Sequence, residues 1–137
     1  MTTAPALTRL NPPALPDAGA VGYSQITTVE PGRLAFISGQ VAWPRDGGPT
    51  PVALSEQTKL VVQHAKAALE AVKASPHDIV MVRVYMIDLR SETQAEVMAQ
   101  LVEFFEGAQP CMTDIGVAAL AAPDLQIELE MVVRLPS

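Results

Sequence analysis

From Leu54 to Ala74 the polar residues Glu56, Lys59, Gln63, Lys66, Glu70 and Lys73 recur at intervals of three and four, while Val61, Ala65, Ala68, Leu69 and Val72 form the opposite stripe. That period is helical, and it is the strongest helix signal in the chain. A second helix is predicted from Ser91-Glu92-Thr93-Gln94, which fits a capping box: Ser91 caps the third amide and Gln94 reaches back. Val97, Met98, Leu101, Phe104 and Phe105 then supply an apolar stripe, and Gly107 stops the helix.

Alternation with period two marks the strands. Tyr23 to Val29 alternates β-branched and polar residues, Glu30-Pro31-Gly32 gives a turn, and Arg33 to Ser38 follows, so the two segments predict a hairpin. Ile79 to Ile87 is apolar on both faces apart from Arg83 and Tyr85, the pattern of a central strand covered on both sides. Asp114 to Ala119 and Gln126 to Arg134 read as two more strands, the latter setting Ile127, Leu129, Met131 and Val133 against Gln126, Glu128, Glu130 and Arg134.

The order β-β-α-β-α-β-β predicts an α+β fold, a mixed β-sheet with two helices on one face. The first twenty residues carry Pro5, Pro12, Pro13 and Pro16 and are expected to lie as an extended arm (1–20), with regular structure beginning near Tyr23 in a single domain over 21–137. Gln40 to Pro51 holds three Pro and two Gly in twelve residues and is expected to be a surface loop bordering a pocket. Two helices cannot cover both faces of such a sheet, so the other face is expected to meet another subunit.

Composition supports that expectation: hydrophobic residues make up 49% of the chain and charged ones only 18%, against roughly a quarter in an average soluble domain. Nine Lys plus Arg against fifteen Asp plus Glu give a net charge of −6, which argues against nucleic acid as a partner. No run reaches the roughly 18 apolar residues of a membrane span, and the start of the chain lacks the pattern of a secretory signal, so no membrane partner and a cytoplasmic location are expected. One Cys and two widely spaced His offer no internal disulfide and no zinc pattern. No GxGxxG or GxxxxGK[ST] motif occurs, and no cofactor is expected.

Glu128 and Glu130 stand two apart on a strand, hence on one face and about 6.5–7 Å apart, a spacing open both to acid/base work and to the solvated side of an edge strand. His64 and His77 have no evident catalytic partner and read as a boundary and a loop histidine. Cys111 reads either as an inert half-buried thiol or, if exposed near a pocket, as a reactive one.

Several segments in order resemble the RidA family, also called YjgF: Gly22-Tyr23-Ser24-Gln25, Ile37-Ser38-Gly39-Gln40, Glu56-Gln57-Thr58, Tyr85-Met86-Ile87-Asp88, Phe104-Phe105, Val117-Ala118-Ala119-Leu120 and Ile127-Glu128-Leu129-Glu130. The resemblance runs from about Gly22 to Val133. It implies a chorismate-mutase-like subunit, a homotrimer, small-molecule clefts between adjacent subunits, and cofactor-free hydrolysis of enamines and imines to 2-oxo acid and ammonia. In the family an Arg in a PxRS segment forks onto the substrate carboxylate, and the glutamate matched by Glu128 helps to orient water.

This chain departs at the Arg: the aligned segment is Pro110-Cys111-Met112-Thr113-Asp114, with Met112 in the Arg position. A thioether supplies neither the charge nor the forked geometry of that contact. Arg33, Arg83 and Arg90 could replace it only if folding brings one of them into the cleft. The cleft is therefore expected to be lined by Tyr23, Gly39, Cys111, Met112, Asp114 and Glu128 and to prefer a neutral or amine-bearing ligand. Asp114 and Glu128 are its candidate acid/base pair for hydrolysing a C–N bond. The alternative is a trimeric ligand-binding or regulatory protein without catalysis. The ribonuclease activity attached to some family members fits poorly with the acidic charge and few aromatics.

Overall fold

The computed structural model describes residues 5–137. Among them six strands and two α-helices follow in order: β1 (Leu7–Leu10), β2 (Ile26–Val29), β3 (Leu34–Val41), α1 (Leu54–Ala71), β4 (Ile79–Met86), α2 (Ser91–Phe105), β5 (Cys111–Gly116) and β6 (Ile127–Arg134). Strands β3, β6, β4 and β5 form a mixed sheet in that spatial order, with β4 and β5 parallel and the other pairs antiparallel. Both helices pack on one face, the α+β arrangement that the hydrophobic pattern predicts. The core joins Val61, Ala65 and Leu69 of α1 and Val97, Leu101, Phe104 and Phe105 of α2 to Val82, Val84, Met86, Leu129 and Met131 of the sheet.

Two expectations about the N-terminal part change. Regular structure begins at Leu7, inside the arm, rather than near Tyr23; residues 1–4 of that arm lie outside the described residues. The predicted hairpin of β2 with β3 does not form, because β2 pairs antiparallel with β1 while β3 pairs with β6. The β1–β2 ribbon instead meets the end of the sheet where β4 and β5 start and β6 finishes. Ser24 bridges Cys111, Arg9 donates to the His77 carbonyl at 3.3 Å, and the buried Arg134 donates to the carbonyls of Glu30 and Pro31 at 3.1 and 2.7 Å. A Cβ on Gly32 would overlap the Arg134 guanidinium, so glycine lets that turn close over the end of β6.

Strand β5 begins at Cys111, three residues before the sequence pattern suggests, and stops at Gly116. Strand β4 is buried on its helix side through Val82, Val84 and Met86 but carries Met81, Arg83 and Tyr85 on the open side, so among the described residues it is covered on one face only. Gln57, fully buried on α1, donates to the carbonyls of Pro51 and Asp124 at 2.8 Å each and accepts from the Gln126 amide at 2.9 Å. It thereby ties the loop before α1 to the approach to β6.

Candidate functional site

The register decides which side chains meet. On β5, Met112 lies opposite Val82 and Asp114 opposite Val84, and both Val residues face the helices. Directly paired residues share a face, so Met112 and Asp114 point to the helix side. There a recess of about 410 Å³ opens between α2 and β5, with Tyr23, Met98, Met112 and Ala95 as its apolar walls and Gln94 and Asp114 as polar groups. Val21 and Ser91 complete it. Among its described lining residues there is no Lys, Arg or His. Of the arginines considered as replacements, Arg83 lies on the other face near Glu130, Arg90 is forked by Asp88 at 2.8 and 2.9 Å, and Arg33 is not part of the recess.

The sequence does not single out Gln94 as a site residue, because a capping box accounts for it. The structure starts α2 at Ser91 with Arg90 as the cap. The Arg90 amide donates to Thr93 Oγ1 at 2.9 Å, and Thr93 Oγ1 donates to the Asp88 carbonyl at 2.6 Å. Ser91 and Gln94 therefore do not form the predicted cap. Gln94 Nε2 is free to donate to Asp114 Oδ2 at 2.6 Å, while Asp114 Oδ1 is closed off from solvent and has no hydrogen-bond partner among the described residues. Helical spacing from Ser91 could have suggested that Gln94 shares a flank with Met98.

Glu128 lies on the other side of the sheet. It pairs with Tyr85, and Glu130 with Arg83, on the face that the helices leave uncovered. Glu128 and Gly39 touch there: a Cβ on Gly39 would overlap the Glu128 carboxyl, so the β3 backbone approaches that carboxyl as only glycine allows. Burial, and secondarily the Glu130 charge, hold the Glu128 carboxyl above its ordinary pKa. Tyr85 donates to Glu130, and that bond first, then burial, raises the Tyr85 pKa. Arg83 Nη1 lies 3.4 Å from the same Glu130 oxygen. Glu130 is thus engaged by two neighbours, whereas no hydrogen bond occupies the Glu128 carboxyl among the described residues.

The predicted site residues therefore fall into two groups. Tyr23, Met112 and Asp114 meet on the helix side; Gly39 and Glu128 meet on the open side. The expected acid/base pair of Asp114 and Glu128 does not form within one chain, because Asp114 shares a face with Val84, whose β6 partner is Leu129 rather than Glu128. Cys111 joins neither group. Strand parity turns it away from Met112, and its Sγ lies 3.1 Å from Thr27 Oγ1, to which Arg9 also donates at 3.1 Å. His64 Nε2 donates to the Trp43 carbonyl at 2.8 Å, and the backbone amide of His77 donates to Ser75 Oγ at 3.2 Å. Among the described residues no three His, Cys, Asp or Glu side chains gather to hold a metal ion, and no helix is long and apolar enough to cross a membrane.

Comparison with known proteins covers the same span. The family model described as endoribonuclease L-PSP matches residues 15–135. The mitochondrial protein Mmf1 of Saccharomyces cerevisiae is 31% identical over 95% of this chain and 81% of its own. TdcF of Escherichia coli, provisionally named a reactive intermediate deaminase, is 29% identical over 83% of this chain and 88% of its own. The crystal structure of YyfB from Yersinia pestis, titled a protein of unknown function of the conserved Rid family, superposes with a TM-score of 0.89 at 34% identity, covering 95% of this chain and 99% of that one. With the family model spanning nearly the whole chain and the sheet and helices matching those of a Rid protein, this chain belongs to the RidA (YjgF) family.

Proposed function

We propose that the protein is a cofactor-independent hydrolase of a C–N double bond, of the enamine and imine deaminase type, acting on a neutral or amine-bearing substrate in clefts between the subunits of a homotrimer. One observation carries this reading: Tyr23, Met112 and Asp114 converge on an open recess without a cation, while the two remaining matched residues, Gly39 and Glu128, stand together on the opposite, uncovered face. Cyclic assembly lays the open face of one subunit against the flank of the next and so joins the two half-sites. Phe36, 76% exposed on the open face beside Met81 and Val132, is the kind of apolar side chain such assembly covers.

In the assembled cleft Glu128 is the acid/base group. Its carboxyl holds a proton more tightly than an ordinary glutamate, which suits it to exchange protons with water and with the departing nitrogen. Met112 at the family's Arg position removes the fork that would hold a substrate carboxylate. The decisive assay supplies freshly generated 2-aminoacrylate or 2-iminobutyrate and follows keto-acid release. No acceleration is expected, and fast turnover would refute the argument from Met112. Light scattering is expected to give three chains per particle; a monomer would remove the cleft.

A second reading, a trimeric ligand-binding protein without catalysis, is favoured by the separation of Asp114 from Glu128. It predicts ligand binding that Glu128→Gln leaves intact, with no turnover of any imine. A cytoplasmic setting remains part of the proposal, and the acidic charge of the chain speaks against a nucleic-acid partner.

A further inference from the structure

Asp114 is a carboxylate in unusual circumstances. It lines a largely apolar recess, and among the described residues its one partner is the neutral amide of Gln94, while Oδ1 has none. Buried carboxylate oxygens are ordinarily satisfied, and a carboxylate placed among apolar walls ordinarily has a cation beside it. Every arginine that might have served is engaged elsewhere or absent from the recess. Gln94 donates to Oδ2, and a carboxylate oxygen with one donor keeps a lone pair for a second. Tyr23 adds an aromatic ring to the same wall, and a ring next to a carboxylate is a favourable place for a cation. The volume of about 410 Å³ accommodates a small organic cation with an apolar body.

We propose that this recess selects carboxylate-free iminium ions, the protonated imines of simple amines, with Asp114 as the charge anchor and Gln94 fixing its orientation. The inference rests on the hydrolase reading above and gives its substrate class. Water adds to the imine carbon, forming the C–O bond while the C=N π pair moves to nitrogen. A proton passes from the added oxygen to nitrogen, and the C–N bond then breaks with its electron pair leaving on ammonia. The second hydroxyl proton goes to that ammonia, so one iminium ion and one water become one carbonyl compound and one ammonium ion. Nothing is oxidised or reduced in this step. A two-electron oxidation of an amine is the class of reaction that would supply such an iminium ion, and the product is an aldehyde or ketone.

The test uses the full chain and two imines generated in situ: the benzylamine-derived aldimine, made by an amine oxidase, and 2-iminobutyrate, made by an amino-acid oxidase. Carbonyl release above the spontaneous rate is expected for the aldimine and not for 2-iminobutyrate. Asp114→Asn is expected to lower kcat/KM for the aldimine about tenfold or more, the loss of one charge-assisted contact. Met112→Arg, which places a guanidinium beside Asp114, is expected to abolish aldimine turnover and guards against a fold-damaged Asn variant; circular dichroism melts verify both. Aldimine turnover that Asp114→Asn leaves unchanged, or a wild-type preference for 2-iminobutyrate, overturns this inference while the hydrolase reading stands. If neither imine is turned over, the hydrolase reading falls, and benzylammonium binding by calorimetry decides the ligand class: weakening by Asp114→Asn supports it, and no binding overturns it.

Discussion

The two faces of the four-stranded sheet hold carboxylates in opposite circumstances. On the helix side Asp114 stands alone, with a neutral amide for company and apolar walls around it. On the open side Glu130 is engaged by Tyr85 and Arg83, and Glu128 is pressed against the Gly39 backbone beside it. The first arrangement invites a positive ligand, because nothing in the recess balances the charge. The second invites proton transfer, because burial, and secondarily the Glu130 charge, keep a proton on Glu128 beyond the ordinary range. On the proposed reading a single chain divides recognition from chemistry between two surfaces, and contact between copies would reunite them.

The largest expected effect tests that division directly. Glu128→Gln keeps size and hydrogen-bonding capacity but removes the proton exchange, and the rate for an accepted imine is expected to fall about a hundredfold or more with the melting temperature nearly unchanged. An equal loss in ligand affinity with unaltered turnover of the bound fraction would move Glu128 from chemistry to recognition and dissolve the contrast. Next comes Gly39→Ala. The added methyl overlaps the Glu128 side chain, which must turn aside; because that side chain is flexible and half-buried, a destabilisation of about 1 kcal/mol or less is expected in denaturant titrations, with a fall in turnover that exceeds any fall in affinity.

How far the sequence reveals this division depends on the kind of signal. Helix periodicity located α1 and α2 closely, because each buries one stripe against the same sheet face. The alternation of β6 correctly put Glu128 and Glu130 on one face, since parity is a property of a single strand. Parity between strands is another matter: whether Asp114 and Glu128 share a face depends on the pairing of β5 with β4 and of β4 with β6, and no local pattern encodes that register. The β2–β3 hairpin failed for the same reason, as a turn with good chemistry does not say which strand pairs with which. Gln94 carries no legible site signal because a capping motif accounts for it in the sequence, although Arg90 and Thr93 perform the capping. The glycine at position 39 carries a constraint, set by Glu128, that appears only once both are placed.

A smaller effect belongs to Tyr85→Phe. Its hydroxyl donates to Glu130, so deletion leaves Glu130 to Arg83 alone and loosens the side-chain network next to Glu128. Net contributions of such half-exposed bonds are about 1 kcal/mol, and a change in turnover of a few fold is expected, much less than for Glu128→Gln.

The subtlest effect is a displacement along the pH axis. Glu128 must be ionised to take a proton from water, so turnover is expected to rise with pH through its pKa, and that acidic limb is expected above the ordinary value of about 4.3. Burial is the first cause of the elevation and the Glu130 charge the second. The sign for stability follows: a carboxyl that holds its proton more tightly when folded stabilises the fold at low pH, and this contribution disappears as pH rises through the folded-state pKa. Glu130→Gln removes the like charge but leaves the burial, so the acidic limb is expected to move to lower pH without reaching the ordinary range, and the same shift is expected in the pH at which this stabilisation fades. A limb that stays in place would assign it to a group other than Glu128. A limb that moves upward would mean that Glu130, through Tyr85 and Arg83, arranges positive charge around Glu128 more than it repels its ionised form.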